Sequence, residues 1–378
     1  MQLALFFTRG ISLKLWFETG LFDREKQLYE EHLRRGHLKK IYWLTYGIDD
    51  AELADELKAA GRLHPNIEVF PMARFLSGRV GRLFYSFLMP LLYRRLLKSA
   101  DILKTNQMDG SWTAVLAKWL YHKPLLVRTG YTWSLLRKKH NAPKPKQRLI
   151  QLAEYFAYKN ASVVTVTTAS QASYVIDNYR LNQKTVCMIP NYVDTKLFKP
   201  IESVEKYPDR LVFVGRLNEE KNLFTLIEAV AKTSLTLDIY GQGQLKQALE
   251  QKAARMNVHV NFMGGVPNYE LPAILNRYRY YVLPSLHEGM PKTLLEAMAC
   301  GLVCIGTNVE GINQIIEDGV SGCLAAGTDA QAIAEAINKS IQSHSDSIVR
   351  EAVRKIRDEF SLQIVAEKEN KIFIDLKA

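Results

Sequence analysis

Two segments in the second half of the chain carry cations and carboxylates at spacings that could hold a phosphorylated ligand. In the first segment, Gly215 ends an apolar run, and Arg216 and Lys221 follow it within a turn. A glycine at a strand end lets the backbone approach a ligand, and two cations beside a helix start form an anion site. A solvated surface loop could carry the same residues, so the prediction of an anion site also depends on the second segment.

The second segment, residues 285–301, contains two glutamates, Glu288 and Glu296, eight positions apart. Pro291 suits the first position of a helix and Gly301 suits its end, so Glu288 falls in a loop and Glu296 on the helix. A carboxylate accepts hydrogen bonds, which suits the hydroxyl groups of a sugar and a ribose. Glu296 could instead be a surface charge, but its neighbours on the predicted helix are apolar.

The elements that must position these side chains follow a βαβ pattern. Short β-rich runs alternate with amphipathic stretches, which predicts right-handed βαβ units and parallel sheets covered on both faces. The fold class is therefore α/β, with two doubly wound parallel-sheet domains and a ligand cleft at the carboxyl ends of the strands. The predicted strands are 3–7, 41–45, 67–70, 102–104, 125–128, 163–166 and 186–189, then 211–214, 237–240, 258–262, 281–283 and 303–306.

The domain boundary is expected near Pro190 and Pro200, which bracket a short polar turn. We predict a first domain over residues 1–199, a second over 200–360, and a C-terminal helix over 361–378 that packs back on the first domain. The length of 378 residues suits two such domains. The four cysteines form no C-x-x-C pair, which favours a reduced compartment and no structural zinc.

In order and spacing, the Gly-Arg-Leu…Lys-Asn segment at 215–222 and the Glu-x7-Glu segment at 288–296 resemble the GT4 family of retaining glycosyltransferases (glycosyl transferases group 1). Residues 191–200 resemble the interdomain linker of that family, and residues 240–243 match its third-strand glycine turn. The match covers residues 185–325, whereas the first half matches only in pattern. The resemblance implies the GT-B fold, in which two Rossmann-like domains form a donor cleft between them.

The resemblance also implies a role for each matching residue. Arg216 and Lys221 would neutralise the diphosphate of a UDP- or GDP-sugar as it leaves, and Glu288 would hold hydroxyl groups of the sugar. Glu296 would bind the ribose. The remaining donor-binding residues would be Gly215, Gly289, Met290, Pro291, Leu294 and, near the nucleobase, Val266.

A departing diphosphate needs positive charge in the transition state. Many transferases supply that charge with a metal ion held by an Asp-x-Asp motif. This chain contains no such motif, and the related triplet Asp23-Arg24-Glu25 falls in a predicted helix. We therefore expect Arg216 and Lys221 to replace the metal, so that the enzyme has no metal site and needs no cofactor.

The first domain departs from the family pattern. The family usually has a His-Gly pair after a strand of this domain, and the matching residues 124–131 contain no histidine. Arg128 or Thr129 would stand in for it, and Gly10 lies in the loop after the first strand, which lacks the usual paired glycines. The nearby His122 and His140 are lone histidines, which are more often structural or exposed than catalytic.

The net charge of +11 is concentrated in the first half. Residues 72–148 hold 16 basic residues and two acidic ones, with aromatic residues between the cations. This pattern favours an interfacial segment on anionic lipid. An ordinary amphipathic helix with core aromatics or a nucleic-acid site would also fit, although no RNA-binding motif supports the latter. The residues concerned are Arg74, Phe75, Arg79, Arg82, Phe84, Tyr85, Phe87, Tyr93, Arg94, Arg95, Lys98, Trp133, Arg137, Lys138, Lys139, Lys144, Lys146 and Arg148.

Apolar residues make up 47% of the chain and charged residues 24%, which excludes disordered and fibrous proteins. We expect a retaining hexosyltransferase that moves a sugar to a glycan or anionic glycolipid acceptor in surface polysaccharide biosynthesis (LPS, O-antigen, capsule or exopolysaccharide). It would be cytoplasmic and peripheral on the inner membrane, without a nucleic-acid partner. Two alternatives stay open: another GT-B enzyme, such as a sugar-nucleotide epimerase or a phosphorylase, and a non-catalytic lipid- or nucleic-acid-binding module.

Overall fold

The computed structural model describes residues 1–130, 132, 134, 143–342 and 346–377. It divides the chain into unit 1, Met1–Pro190 with Ala366–Ala378, and unit 2, Asn191–Val365. The first division precedes the expected boundary of 199/200 because Asn191 already bonds to Met290 of unit 2, and Val193 forms a parallel bridge with Ser361. The second division lies inside the last helix, at 365/366 rather than 360/361.

Unit 1 contains a seven-stranded parallel sheet in the order β3-β2-β1-β4-β5-β6-β7. All seven strands that the sequence predicts in this half are present, each within a residue of its expected bounds. Leu3, Leu103 and Val127 are fully buried, as expected for strands covered on both faces. The strands are Gln2–Phe6 (β1), Lys40–Leu44 (β2), Ile67–Phe70 (β3), Ile102–Thr105 (β4), Leu125–Thr129 (β5), Val163–Val166 (β6) and Val186–Met188 (β7).

The helices of unit 1 connect successive strands on either side of the sheet. Within the described residues they are Leu13–Glu18 (α1), Phe22–Glu25 (α2), Gln27–Arg34 (α3), Asp50–Ala59 (α4), Gly78–Leu92 (α5), Arg94–Ser99 (α6), Ser111–Tyr121 (α7), Lys144–Asn160 (α8) and Ala169–Tyr179 (α9). No helix in the described parts of the chain is long and apolar enough to cross a bilayer.

Unit 2 contains a six-stranded parallel sheet in the order β10-β9-β8-β11-β12-β13. Five of its strands were predicted. The sixth, the short strand Cys323–Ala325, was not predicted from the sequence. The strands are Tyr207–Val214 (β8), Thr236–Tyr240 (β9), Val260–Gly264 (β10), Tyr278–Leu283 (β11), Val303–Thr307 (β12) and Cys323–Ala325 (β13).

The helices of unit 2 alternate with these strands, and the chain ends in a run of three helices. Within the described residues the helices are Leu223–Val230 (α10), Lys246–Met256 (α11), Leu271–Leu275 (α12), Lys292–Ala299 (α13), Ala330–Gln342 (α14) and Asp346–Lys355 (α15), with a π-helical turn at Ile356–Phe360 before Leu362–Lys377 (α16). The predicted helical tail from residue 345 is confirmed from Asp346 onward.

A buried ion cluster ties the end of α16 into unit 1. Lys104 Nζ lies 2.6 Å from Glu369 Oε1, and His32 Nε2 lies 3.0 Å from Glu369 Oε2. Burial lowers the pKa of Lys104 and of His32. Although burial alone would raise the pKa of Glu369, the Lys104 ammonium and the His32 hydrogen bond hold it well below its usual range. The cluster therefore keeps a carboxylate ionised in the interior.

The strand order reverses once in each sheet, and this fixes where ligands can bind. In unit 1 the reversal lies between β1 and β4, and in unit 2 between β8 and β11. The loops that leave the two strands at a reversal diverge to opposite faces of the sheet, which opens a crevice at the carboxyl ends. The two segments with predicted chemistry follow β8 and β11, so the topology of unit 2 brings them together.

Candidate active site

The loop after β8 runs beside the glycine turn after β9. Gly215 N donates to Tyr240 O at 2.9 Å, and Leu217 N donates to Gln242 O at 2.9 Å. A Cβ on Gly241 would lie 1.8 Å from Gly215 O, so no side chain fits at that position. The close approach of these two loops explains the glycines on purely structural grounds.

The two predicted cations occupy different environments. Arg216 is exposed, whereas Lys221 is largely buried at the end of a 3₁₀ turn, Glu219–Lys221. Asn222 then adopts the left-handed conformation with φ of +55°, and α10 begins at Leu223. The predicted turn into a helix is confirmed, with one left-handed residue between the cation and the helix.

The loop after β11 joins the loop after β8 directly. Leu286 N donates to Glu220 O at 2.9 Å, and Lys221 Nζ lies 2.5 Å from Glu288 Oε1. Ser285 Oγ donates to the same carboxylate oxygen at 2.6 Å. The structure therefore brings together Lys221, predicted to meet the phosphate, and Glu288, predicted to meet the sugar.

The two residues after Glu288 make close contacts through their backbone carbonyl groups. Gly289 is buried, and a Cβ on Gly311 would lie 2.2 Å from its carbonyl oxygen. Met290 is buried too, and its carbonyl oxygen accepts from Asn191 Nδ2 at 2.7 Å. Pro291 precedes the helix instead of opening it, because α13 begins at the next residue.

Leu294 lies in the first turn of α13 with its side chain fully buried in the core of unit 2. A contact between that side chain and a ligand is therefore excluded in this conformation. The first amide groups of a helix have no acceptor within the helix, so Leu294 can serve a ligand only through its backbone N–H.

Glu296 is 3% exposed, which rules out the alternative of a solvated surface charge. Asn268 Nδ2 donates to its Oε1 at 3.0 Å. Asn268 lies in the loop after β10, two residues beyond the half-buried Val266. The loop predicted to lie near a nucleobase thus contacts the carboxylate predicted to bind a ribose.

The thiol of Cys300 is not a nucleophile. Burial raises the pKa of Cys300, one turn after Glu296, to about 12. Burial also raises the pKa of Cys304 well above its usual value. Both groups stay protonated at neutral pH, so the chemistry of this edge depends on the cations and carboxylates.

In unit 1, the three residues predicted to contact a ligand differ in accessibility. Gly10 lies in the loop after β1 with φ of +76°, and Arg128 is half-buried in β5. Thr129 is fully buried, so its side chain does not meet a ligand in this conformation. His122 is exposed at the end of α7, before β5 begins, and so lies at the amino-terminal edge of the sheet.

Several predicted residues lie outside the described part of the chain. They are Trp133, Arg137, Lys138, Lys139, His140 and the side chain of Lys146.

Sequence reasoning missed a contact at the reversal point of unit 1. Arg9, after β1, donates its N–H to Asp109 O at 3.3 Å, and its Nε lies 3.4 Å from Asp109 Oδ1. The Arg9 guanidinium also lies 5.2 Å from the centre of the Trp112 ring. No motif marks Arg9 or Asp109; only the adjacency of β1 and β4 identifies them. Asn268 also lacks a motif, and only the packing of the loop after β10 against α13 identifies its contact with Glu296.

Two family models match the chain. The model described as glycosyl transferases group 1 matches residues 194–356, and the one described as Glycosyltransferase Family 4 matches residues 26–197. Among curated proteins, the chain is 34% identical over 172 residues to the amylovoran biosynthesis glycosyltransferase AmsK of Erwinia amylovora. That match covers 42% of each chain, so this chain spans less than half of that relative.

A second relative is matched over most of its length. The chain is 25% identical over 305 residues to the UDP-Gal:alpha-D-GlcNAc-diphosphoundecaprenol alpha-1,3-galactosyltransferase of Escherichia coli, covering 75% of this chain and 78% of that one. Among solved structures, Anabaena Alr3699/HepE in complex with UDP aligns with a TM-score of 0.78 at 16% identity, covering 99% of this chain and 100% of the other. Sucrose-phosphate synthase (tll1590) from Thermosynechococcus elongatus aligns with a TM-score of 0.79 at 17% identity, covering 100% and 99%.

The two parallel-sheet units and these alignments define the fold as GT-B. One glycosyltransferase family model matches each half of the chain, and both of these relatives are glycosyltransferases. The resemblance predicted from residues 215–222 and 288–296 is confirmed. These matches favour an enzyme over the alternative of a non-catalytic binding module.

Proposed function

We propose that the protein is a retaining, metal-independent glycosyltransferase that uses a UDP- or GDP-sugar. The observation that carries this proposal is the meeting of Lys221 with Glu288 at the reversal point of unit 2. A cation and a carboxylate side by side suit a sugar diphosphate, because one group can meet the phosphate while the other meets sugar hydroxyls. Arg216, exposed on the same loop, adds a second cation.

In the proposed reaction, the bond between the anomeric carbon and the diphosphate oxygen breaks, and a bond to an acceptor hydroxyl oxygen forms on the same face of the sugar. The nucleoside diphosphate leaves with the electron pair, and the departing diphosphate oxygen takes the proton that the acceptor hydroxyl gives up. Lys221 and Arg216 stabilise the negative charge that develops on the leaving oxygen. Glu288 orients the sugar, and Glu296, held by Asn268, binds the ribose.

The proposed acceptor is a lipid-linked or otherwise anionic glycan intermediate of surface polysaccharide assembly. Two relatives support this class by name: one works in amylovoran biosynthesis, and the other transfers galactose to GlcNAc-diphosphoundecaprenol. Residues 72–148 hold 16 basic residues, which suit an anionic acceptor. The proposed location is the cytoplasmic face of the inner membrane, with the protein bound peripherally through unit 1.

The proposal is tested by incubating the purified protein with a panel of UDP- and GDP-sugars in excess EDTA and measuring the release of nucleoside diphosphate. We expect slow hydrolysis of one donor without acceptor, and faster release with a polyprenyl-diphosphate-linked sugar. NMR of the product fixes its anomeric configuration. No release from any donor, loss of release in EDTA, or an inverted product would each contradict the corresponding part of the proposal.

A further inference from the structure

Three neighbouring helices of unit 1 expose large apolar side chains. The inner side of each helix packs in the unit, and the outer side carries residues that expose between 38% and 68% of their surface. We call these residues the docking face. They are Val80, Leu83, Phe84, Phe87, Leu88, Leu91 and Leu92 on α5, Trp119 and Leu120 on α7, and Leu149, Leu152 and Tyr155 on α8.

The three helices form one continuous layer. At the end of α7, Tyr121 OH donates to Pro90 O of α5 at 2.7 Å. On the other side of α7, Trp119 Nε1 donates to Asn160 Oδ1 at the end of α8 at 3.2 Å. The rings of Trp119 and Phe156 pack at 5.5 Å. The exposed side chains therefore belong to one surface.

This surface is not an unfilled core. On α5, Tyr85 and Met89 are buried, and Ser86 Oγ lies 2.8 Å from the Tyr46 hydroxyl. On α8, Ile150 and Ala157 are buried. Each helix has already packed one apolar side into unit 1, so the apolar outer side is additional.

Among the described residues of α5, α6, α7 and α8, every exposed charged side chain is a cation. Arg79 lies at the start of α5 and Arg94 and Arg95 directly after its end, while Lys144 and Lys159 lie at the two ends of α8, and all five are exposed. Helices α5 and α7 contain no acidic residue. The only carboxylate of α8, Glu154, is fully buried.

We propose that the docking face lies flat on a bilayer that contains anionic lipid, with its aromatic and leucine side chains inserted shallowly and its cations against the headgroups. Apolar side chains flanked by cations match this environment on both counts. A second copy of the chain fits poorly, because a symmetric contact would press cations against cations. The proposal deepens the proposed function and rests on it only for the membrane-linked acceptor.

The position of α5 connects this surface to the edge of unit 1 where the first-domain contacts were predicted. A Cβ on Gly10 would lie 3.3 Å from Arg82 Nη1, so the first turns of α5 adjoin the loop after β1. A glycolipid headgroup leaving the bilayer at α5 would therefore reach that loop first.

The test is co-sedimentation of the full chain with vesicles of neutral phosphatidylcholine or of the same lipid with phosphatidylglycerol. We expect binding to the anionic vesicles only, with release at high salt, because exposed charges are screened within about 8 Å at physiological ionic strength. Replacing Leu149, Leu152 and Tyr155 with Ser should weaken binding about tenfold. Replacing Arg94, Arg95 and Lys98 with Ser should weaken it on the order of 100-fold at low salt.

The matched control replaces Leu15 and Phe17 with Ser. These residues are also exposed, at 38% and 39%, but they lie on α1, which packs against α4 rather than against the docking layer. We expect the control variant to bind vesicles as well as the unaltered protein does. Circular dichroism should be unchanged in all variants, which shows that each one folds. Equal binding to neutral and anionic vesicles, or no effect of the α8 triple variant, would overturn the proposal. So would a dimer in light scattering that the α8 triple variant abolishes, since this would assign the surface to a second copy.

Donor hydrolysis without acceptor separates this proposal from the proposed function. We expect the α8 triple variant and the variant of Arg94, Arg95 and Lys98 to keep the hydrolysis rate of the unaltered protein, because the altered residues lie outside the loops of unit 2. Failure of vesicle binding with hydrolysis intact would overturn the docking face and leave the enzyme assignment standing. Vesicle binding without hydrolysis of any donor would overturn the enzyme assignment and leave the docking face standing.

Discussion

Lys221 and Glu288 are 67 positions apart in the chain, yet Lys221 Nζ lies 2.5 Å from Glu288 Oε1. Both side chains are largely buried, so the ion pair is shielded from solvent. A donor whose diphosphate meets Lys221 must share or displace this carboxylate. The pair therefore holds the lysine in place before a donor binds.

The first prediction concerns the cations. Lys221→Ala and Arg216→Ala should each lower kcat about 10²–10³-fold, because each removes charge stabilisation of the leaving diphosphate. Steady-state kinetics with excess EDTA measure this, and the unaltered protein should keep full activity in the chelator. Lys232→Ala, on an exposed lysine after α10, is the matched control and should keep normal turnover. Normal turnover in either site variant would contradict the assigned role.

The second prediction separates the two glutamates. Glu296→Gln should weaken binding of the free nucleoside diphosphate, because ribose contacts exist in both donor and product. Glu288→Gln should impair sugar transfer but leave diphosphate binding unchanged or stronger, because it releases Lys221 from its carboxylate partner. Calorimetry with UDP and GDP measures both effects. If Glu288→Gln weakens binding as much as Glu296→Gln does, the two roles are assigned wrongly.

The third prediction concerns the glycine turn. Gly241→Ala should destabilise unit 2 by about 1–3 kcal/mol, because its Cβ would collide with Gly215 O. Gly265→Ala is the matched control, since its Cβ would meet only the flexible side chain of Gln242 at 3.1 Å. The urea midpoints of the two variants are compared by following unfolding with far-UV circular dichroism. Equal midpoints would show that the two loops can separate at little cost.

The fourth prediction concerns acid sensitivity at the ion cluster of α16. Because burial lowers the pKa of His32 below 6.5, the unfolded chain binds that proton more readily than the folded one. The stability that neutral His32 contributes to the folded state is present above about pH 6.5 and is lost as the pH falls below that value. The low pKa of Glu369 adds a loss that begins only at more acidic pH. Hydrogen exchange of residues 366–377 should therefore be faster at pH 5 than at pH 7, after correction for the intrinsic rate.

Variants test the same cluster at fixed pH. Glu369→Gln should lower the free energy of local opening of α16 by about 3–5 kcal/mol, because it leaves the Lys104 ammonium buried without its counter-charge. His32→Gln should flatten the change in protection between pH 7 and pH 5. Unchanged protection of α16 in Glu369→Gln would mean that the cluster does not hold the helix.

The aromatic residues of the basic stretch show how far sequence reasoning reached. Their spacing predicted an amphipathic segment and left open whether its aromatics were core or interfacial. Both answers occur on α5: Tyr85 is buried and bonds within unit 1, whereas Phe84 and Phe87 are exposed. Neighbouring positions on a helix point in different directions, and only the packing partners decide which direction is inward.

By itself, the sequence determined the α/β class, the strands and helices with strong local patterns, and the two segments that carry Arg216, Lys221, Glu288 and Glu296. These follow from short-range rules, since periodicity, glycines and charges act within a few residues. The tertiary structure alone decided which distant residues meet: Lys221 with Glu288, Asn268 with Glu296 and Arg9 with Asp109. The last two contacts have no motif, because strand order, not sequence spacing, places one loop beside another.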